Sequence, residues 1–186
     1  MKNSLKGRNI ILGVTGSIAA YKACDIVSSM VKNGISVNVV MTRYACEFIT
    51  PLTLQSLSAN RVYTEMFDTG IWQPEHIALA DKAELILVAP ASADIIAKLA
   101  CGIADELLSS VILAFDKPVL VAPAMNDKMY NNSVTQDNIK KLKARGFIFI
   151  PPAQGRLASG TTGIGRLAAP ALIVNKVEEL LLKKNH

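Results

Sequence analysis

The segment Gly13-Val14-Thr15-Gly16-Ser17-Ile18 places a glycine and a hydroxyl where an apolar run gives way to helical spacing. The first N–H groups of a helix have no partner within it, and the helix dipole adds positive character there, so such a turn can hold a phosphate. Gly16 and Ser17 are placed to do this, and Ser17 adds a hydroxyl donor. The same residues also make an ordinary tight turn with Ser17 as N-cap. The turn is not Gly-x-Gly-x-x-Gly, and the next apolar run ends in Thr42-Arg43 without an acidic residue to hold a ribose. Both departures count against NAD and favour a mononucleotide such as FMN.

Other segments offer further polar groups. Ser92 and Asp94 follow a third apolar run. They can hydrogen-bond a ribityl chain or flavin ring, or cap the helix that follows. Asn126, in Pro123-Ala124-Met125-Asn126, can offer its carboxamide to a substrate carboxylate or close an Asx turn. Of the two histidines, His186 is terminal and His76 precedes an amphipathic segment. An imidazole titrating near neutrality suits proton transfer in a pocket, although a lone histidine is also common at a surface. The stretch 156–167 carries Gly160, Gly163 and Gly165, flanked by Arg156 and Arg166. It reads as a flap closing on an anion or as a solvent loop.

These groups must be positioned by a scaffold, and its elements are legible. Largely apolar runs at 9–14, 36–41, 84–89, 118–122 and 147–150 predict five strands. Helical patterns at 18–32, 91–99, 105–114, 134–145 and 171–183 alternate with them, Asn33-Gly34 supplies a C-cap, and 42–58 reads as a loop and a helix with Pro51 near its start. Strands buried on both faces read as continuous apolar runs, and alternation with helices implies crossovers. The expectation is one α/β domain over 1–186: a doubly wound, mostly parallel Rossmann- or flavodoxin-like sheet with helices on both faces. Ligands in such sheets bind beyond the carboxyl ends of the strands, where Gly16, Thr42, Ser92 and Asn126 fall.

Composition narrows the class. With 186 residues, 51% apolar and 19% charged, the chain suits one compact domain and not a disordered segment. The net charge of +5 could suit an anionic ligand, but end lysines supply much of it, and there is no basic-aromatic stripe for nucleic acid. Cys24, Cys46 and Cys101 have no paired spacing, which argues against a disulfide framework or a metal site and fits a reducing cytoplasm. No signal-peptide pattern or continuous apolar span of 18 residues predicts a membrane partner.

Taken together, GVTGSIAAYKA (13–23), ITPLTLQSLS (49–58), HIALA (76–80), VAPASADIIAKLACGIADELLSS (88–110), APAMNDKMYNN (122–132) and GTTGIGRLAAP (160–170) resemble the homo-oligomeric flavin-containing cysteine decarboxylases, particularly the coenzyme A branch. The resemblance implies FMN as cofactor and 4′-phosphopantothenoylcysteine as substrate. Carried over by motif, Gly16, Ser17, Ile18, Thr42, Tyr44, Ser92, Ala93, Asp94 and Ala124 would hold FMN. Asp94 stands where some members have Asn. His76 would be the base and Asn126 would bind the substrate carboxylate, with Met129, Arg156, Leu157 and Ala158 enclosing the substrate.

The implied chemistry has two halves. Flavin takes a hydride equivalent from the cysteinyl carbon, giving a thioaldehyde that accepts the electrons released as carbon dioxide leaves. The resulting aminoenethiol is then reduced to 4′-phosphopantetheine. In the coenzyme A branch the flap usually reads Ala-Cys-Gly, its cysteine donating the proton for the reductive half. Here it reads Ala158-Ser159-Gly160. A serine hydroxyl is a far weaker acid than a thiol titrating near 8.5, so the expectation is an impaired second half with Ser159 in the catalytic position. Ser159 also mildly favours an alternative, a peptidyl-cysteine decarboxylase of lantibiotic maturation. A non-catalytic flavin-binding regulatory subunit is the third reading. The resemblance further implies a homotrimer or a homododecamer of trimers. With about 16 residues after Pro170, the phosphopantothenate–cysteine ligase fused to many homologues is expected either as a separate polypeptide or as a part cut from this chain.

Overall fold

The computed structural model describes residues 5–66, 75–158 and 160–183, with the side chains of 75 and 76 excepted. Strand β1 (Asn9–Val14) leads through a 3₁₀ turn, Ile18–Lys22, into α1 (Ala23–Lys32). Next come β2 (Ser36–Met41), α2 (Arg43–Cys46), α3 (Pro51–Ser58) and β3 (Val62–Tyr63). The chain then forms α4 (Glu75–Lys82), β4 (Leu85–Ala91), α5 (Ala93–Cys101), α6 (Leu107–Leu113) and β5 (Val119–Pro123). It continues through α7 (Asp127–Asn131), α8 (Ser133–Ala144), β6 (Ile148–Phe149), β7 (Ala153–Arg156), β8 (Thr162–Arg166) and α9 (Pro170–Lys183).

Six strands form a parallel sheet in the order β3-β2-β1-β4-β5-β6. The expected doubly wound architecture is therefore present. Its two cores follow from the alternation of side chains along each strand. Ile10, Leu12 and Val14 of β1, with Leu85, Leu87 and Ala89 of β4, pack against α1, α3 and α9. Ile11 of β1, with Ile86 and Val88 of β4, packs against α4, α5, α6 and α8. Gly13 belongs to this second face, where a Cβ would meet Leu108 Cδ1 at 2.6 Å, so the missing side chain lets α6 lie on the sheet.

The order reverses beside β1: β2 and β3 build out on one side, β4, β5 and β6 on the other. The crevice beyond the carboxyl ends of β1 and β4 is thus the topological switch point. Several sequence expectations need correction. The predicted helix 18–32 begins as a 3₁₀ turn, and β3 is an extra short edge strand, too brief to show a period. The strand predicted at 84–89 runs on through Pro90 to Ala91, with a register shift against β5, while β5 ends at Pro123. The glycine-rich stretch is not a loop but an antiparallel ribbon, β7 pairing with β8.

Candidate functional site

Hydrogen bonds from two hydroxyls set the geometry of the switch point. Thr15, 1% exposed, follows β1; its Oγ1 donates to Pro90 O at 2.7 Å and accepts from Ser92 N at 2.9 Å. Its own N–H also donates to Pro90 O at 3.3 Å. One threonine therefore locks the end of β1 to the end of β4. Ser17 Oγ donates to Ala124 O at 3.1 Å and accepts from Ala19 N at 3.3 Å, tying the same turn to the end of β5. Ala124 N donates to Ala91 O at 3.0 Å, closing the link between β4 and β5. A Cβ on Gly16 would stand 2.5 Å from Tyr44 Cβ, so the turn also needs glycine for the close approach of α2.

A cavity of about 680 Å³ opens beyond these strand ends, within the range usual for ligand sites. Gly16, Ser17, Ile18, Ser92, Ala93 and Ala124 line it, as do Asn126, Met129, Arg156, Leu157 and Ala158. All eleven are residues expected from the sequence. Three other proposed residues do not line it. Thr42 is buried, and its Oγ1 accepts from Ala45 N at 3.3 Å to cap α2. Tyr44 is exposed beside Gly16. Asp94 lies in the first turn of α5 with its carboxylate 3.7 Å from Lys98 Nζ. The side chain of His76, in α4, and residue Ser159 lie outside the described residues.

The lining also contains residues not singled out before: Tyr21, Lys22, Phe48, Met125 and Leu167. Lys22 and Tyr21 were hidden in a pattern read as uniform helix. Phe48 sits in the connection between α2 and α3, where no period marks a direction. Gly165 and Arg166, noted as part of the flap, enter the lining because β8 is docked rather than free. Gly165 O accepts from Met125 N at 3.0 Å, and a Cβ on Gly165 would collide with Met125 O. Gly163 packs equally closely, its hypothetical Cβ 2.8 Å from Asp127 Cβ. The ribbon thus rests by two bare glycines on the segment that carries Asn126.

Several side chains of the cavity offer donors. Asn126 Oδ1 is engaged by Lys128 N at 2.9 Å, capping α7, which leaves the amide N–H groups to a ligand. Ser92 Oγ accepts from Ile95 N at 3.3 Å and keeps its proton to donate. Lys22, Arg156 and Arg166 add positive charge, and no Asp or Glu is among the lining residues described. Donors, cations and exposed aromatic rings suit a phosphorylated planar ligand together with a carboxylate, so the residues present fit FMN and an acidic substrate. Burial raises the Cys24 and Cys46 thiols above their ordinary range, with Asp25 and Glu47 adding to it respectively, so both stay protonated. Among the described residues no group of His, Cys, Asp and Glu could hold a metal ion.

A parallel doubly wound sheet with an anion-seeking cavity at its switch point defines a nucleotide-binding α/β protein. The chain belongs to the Flavoprotein family, whose match runs over residues 1–182. It is 49% identical over 177 residues to a probable phosphopantothenoylcysteine decarboxylase of Streptococcus mutans, covering 94% of this chain and 99% of that one. It is 47% identical over 176 residues to the coenzyme A biosynthesis bifunctional protein CoaBC of Bacillus subtilis, covering 94% of this chain. It spans only 43% of that longer relative. Among solved structures, a cysteine-to-serine mutant of a PPC decarboxylase complexed with pantothenoylaminoethenethiol superposes with a TM-score of 0.83 at 32% identity, over 92% of this chain and 97% of that one. The FMN binding protein AtHal3 matches with a TM-score of 0.83 at 31% identity, over 97% of this chain and all of that one. The family resemblance read from the motifs is borne out.

Proposed function

We propose that the chain is an FMN-dependent decarboxylase acting on 4′-phosphopantothenoylcysteine in coenzyme A biosynthesis. The observation that carries this is the convergence of the Gly16–Ile18 turn, Ser92, Ala124 and Asn126 on one donor-lined cavity at the switch point. The naming of its relatives supports the substrate. Bound FMN supplies two-electron chemistry, accepting a hydride equivalent and returning it. The first-turn N–H groups of 16–18 and Lys22 would hold its phosphate, and Ser92, Ala93 and Ala124 would be among the residues that hold the rest of it. Asn126 binds the substrate carboxylate through its free N–H donors and orients it for loss as carbon dioxide. His76 takes the thiol proton as the cysteinyl group is oxidised. Met129, Leu157 and Ala158 exclude water, so that the departing electrons stay in the thiocarbonyl.

Ser159 stands where the coenzyme A branch usually carries the cysteine acid. A hydroxyl protonates an enethiol poorly, so the reductive half is slow and aminoenethiol accumulates. The relative complexed with pantothenoylaminoethenethiol is itself a cysteine-to-serine mutant, which supports this reading. Ile18, Tyr21, Tyr44, Phe48 and Leu52 are large, exposed and close to the cavity in sequence or space. Their exposure supports a site completed at the boundary between copies, in a homotrimer or a dodecamer of trimers, where Tyr44 would reach FMN. A cytoplasmic location and a phosphopantothenate–cysteine ligase as partner complete the proposal.

The test is direct. Purified protein is expected to be yellow, to release carbon dioxide from 4′-phosphopantothenoylcysteine, and to yield a product two hydrogens lighter than 4′-phosphopantetheine. Ser159→Cys should shift the product to 4′-phosphopantetheine. A colourless protein that takes up no FMN, or one that releases no carbon dioxide, defeats the reading. Clean formation of 4′-phosphopantetheine defeats the role given to Ser159.

A further inference from the structure

Of the three cations that line the cavity, Lys22, Arg156 and Arg166, the roles given so far use only Lys22. Lys22 belongs to the helical run that starts at Ile18, on the wall assigned to the cofactor phosphate. Asn126, uncharged, serves the carboxylate. Two arginines of the ribbon remain. Arg166 differs from Arg156 in position: it follows Gly165, whose carbonyl accepts from Met125 N, and its side chain lies across Gly155, with Cδ and Cζ 3.2 and 3.4 Å from where a Cβ would stand. Arg156 pairs across the ribbon with Thr162 and also lines the cavity. Among the described residues no hydrogen bond or ion pair engages its guanidinium.

Resting on the decarboxylase reading, we propose that Arg156 binds the phosphate of the substrate and thereby selects 4′-phosphopantothenoylcysteine over its unphosphorylated counterpart. The distances agree. Thr162, opposite Arg156, is three residues along β8 from the docking point at Gly165, or about 10 Å at the usual rise of a strand. An extended arginine adds about 6 Å over its five bonds, taking the roughly 1.3 Å per bond of an extended chain. By the same measure, the dozen bonds from carboxyl carbon to phosphorus span about 15 Å. A substrate held at Asn126 and laid along the ribbon brings its phosphate to Arg156. The planar guanidinium can then grip two phosphate oxygens at once. Arg166, near the docking point, falls short of that end.

The experiment compares the phosphorylated and unphosphorylated cysteine conjugates as substrates. In parallel it measures calorimetric binding of 4′-phosphopantetheine and pantetheine to the flavin-loaded protein. In Arg156→Gln the ratio of kcat/KM, phosphorylated over unphosphorylated, should fall about ten- to hundredfold, the loss of a charge-assisted pair, and mainly through KM. The ratio of binding constants should fall with it. Arg156→Lys, which keeps the charge but loses the two-pronged grip, should recover only part of both ratios, and Arg166→Gln should retain them. Equal losses for both substrates, an unchanged ratio, or a drop in Arg166→Gln in place of Arg156→Gln would overturn the assignment. Wild-type protein that decarboxylates neither conjugate defeats the underlying reading instead, and the binding ratio then decides the role of Arg156 alone.

Discussion

Replacing Asn126 by Asp tests the division of labour within one side chain. The amide oxygen caps α7 by accepting from Lys128 N at 2.9 Å, and aspartate caps a helix as well as asparagine does. The fold should therefore survive unchanged. What disappears is the pair of N–H donors facing the cavity, and what arrives is a negative charge opposite the substrate carboxylate. A hydrogen bond to a charged group contributes about 1.5–3 kcal/mol. Two like charges about 4 Å apart add roughly 4 kcal/mol of repulsion at an effective dielectric constant of 20. The sum, about 5.5–7 kcal/mol, corresponds to a loss of about 10⁴- to 10⁵-fold in kcat/KM. Protonating the new carboxyl removes the repulsion, so the residual activity should rise as pH is lowered towards 5, opposite to any loss from protonating His76. Carbon dioxide release measured from pH 5 to 8, beside a thermal melt, gives both quantities. Activity within about tenfold of wild type, with an unchanged melt, would refute the carboxylate-binding role, since even the lost hydrogen bond alone should cost more than that.

Other expectations follow from the same geometry. Thr15→Val keeps the shape but strips Ser92 N and Pro90 O of their hydroxyl partner; at about 2–4 kcal/mol for the two, the melting temperature should fall by about 5–15 °C, whereas Thr15→Ser should stay near wild type. Gly165→Ala adds a methyl at φ +154°, against Met125 O, and should undock the ribbon. Faster tryptic cleavage after Arg156 at an unchanged melting temperature would report this, and unchanged cleavage would show that the ribbon is not held there. Burial raises the Glu106 carboxyl above its ordinary range, with Lys98 partly offsetting it. A raised carboxyl pKa means that the folded state holds its proton longer, so this group's contribution to stability is present below about pH 4.5 and is lost as pH rises through the raised value. Glu106→Gln should therefore melt higher than wild type near neutrality and converge with it in acid; the reverse order would contradict the assigned cause.

Much of the site was legible because both ends of each claim lie close in sequence. An apolar run followed by Thr15-Gly16-Ser17, or by Ser92 or Asn126, marks a strand end whatever else the chain does. Parallel strands put all such ends on one edge. That physics brought eleven proposed residues together. What local pattern could not supply was competition for each polar group. Ser17 looked like a donor to phosphate, yet its proton goes to Ala124 O, 107 residues away. Thr42 and Asp94, expected at the ligand by family resemblance, also carry a helix cap and an ion pair that their own segments do not announce. The glycine-rich stretch read as a loop because its strands lack a hydrophobic period. It became a ribbon only because Gly163 and Gly165 allow it to lie on the Met125–Asp127 segment. Composition and order of residues by themselves determined the sheet, its two cores and the edge where a ligand must bind. Tertiary structure alone decided which donors remain free at that edge, because a hydrogen bond between distant strands leaves no trace in either strand's own sequence.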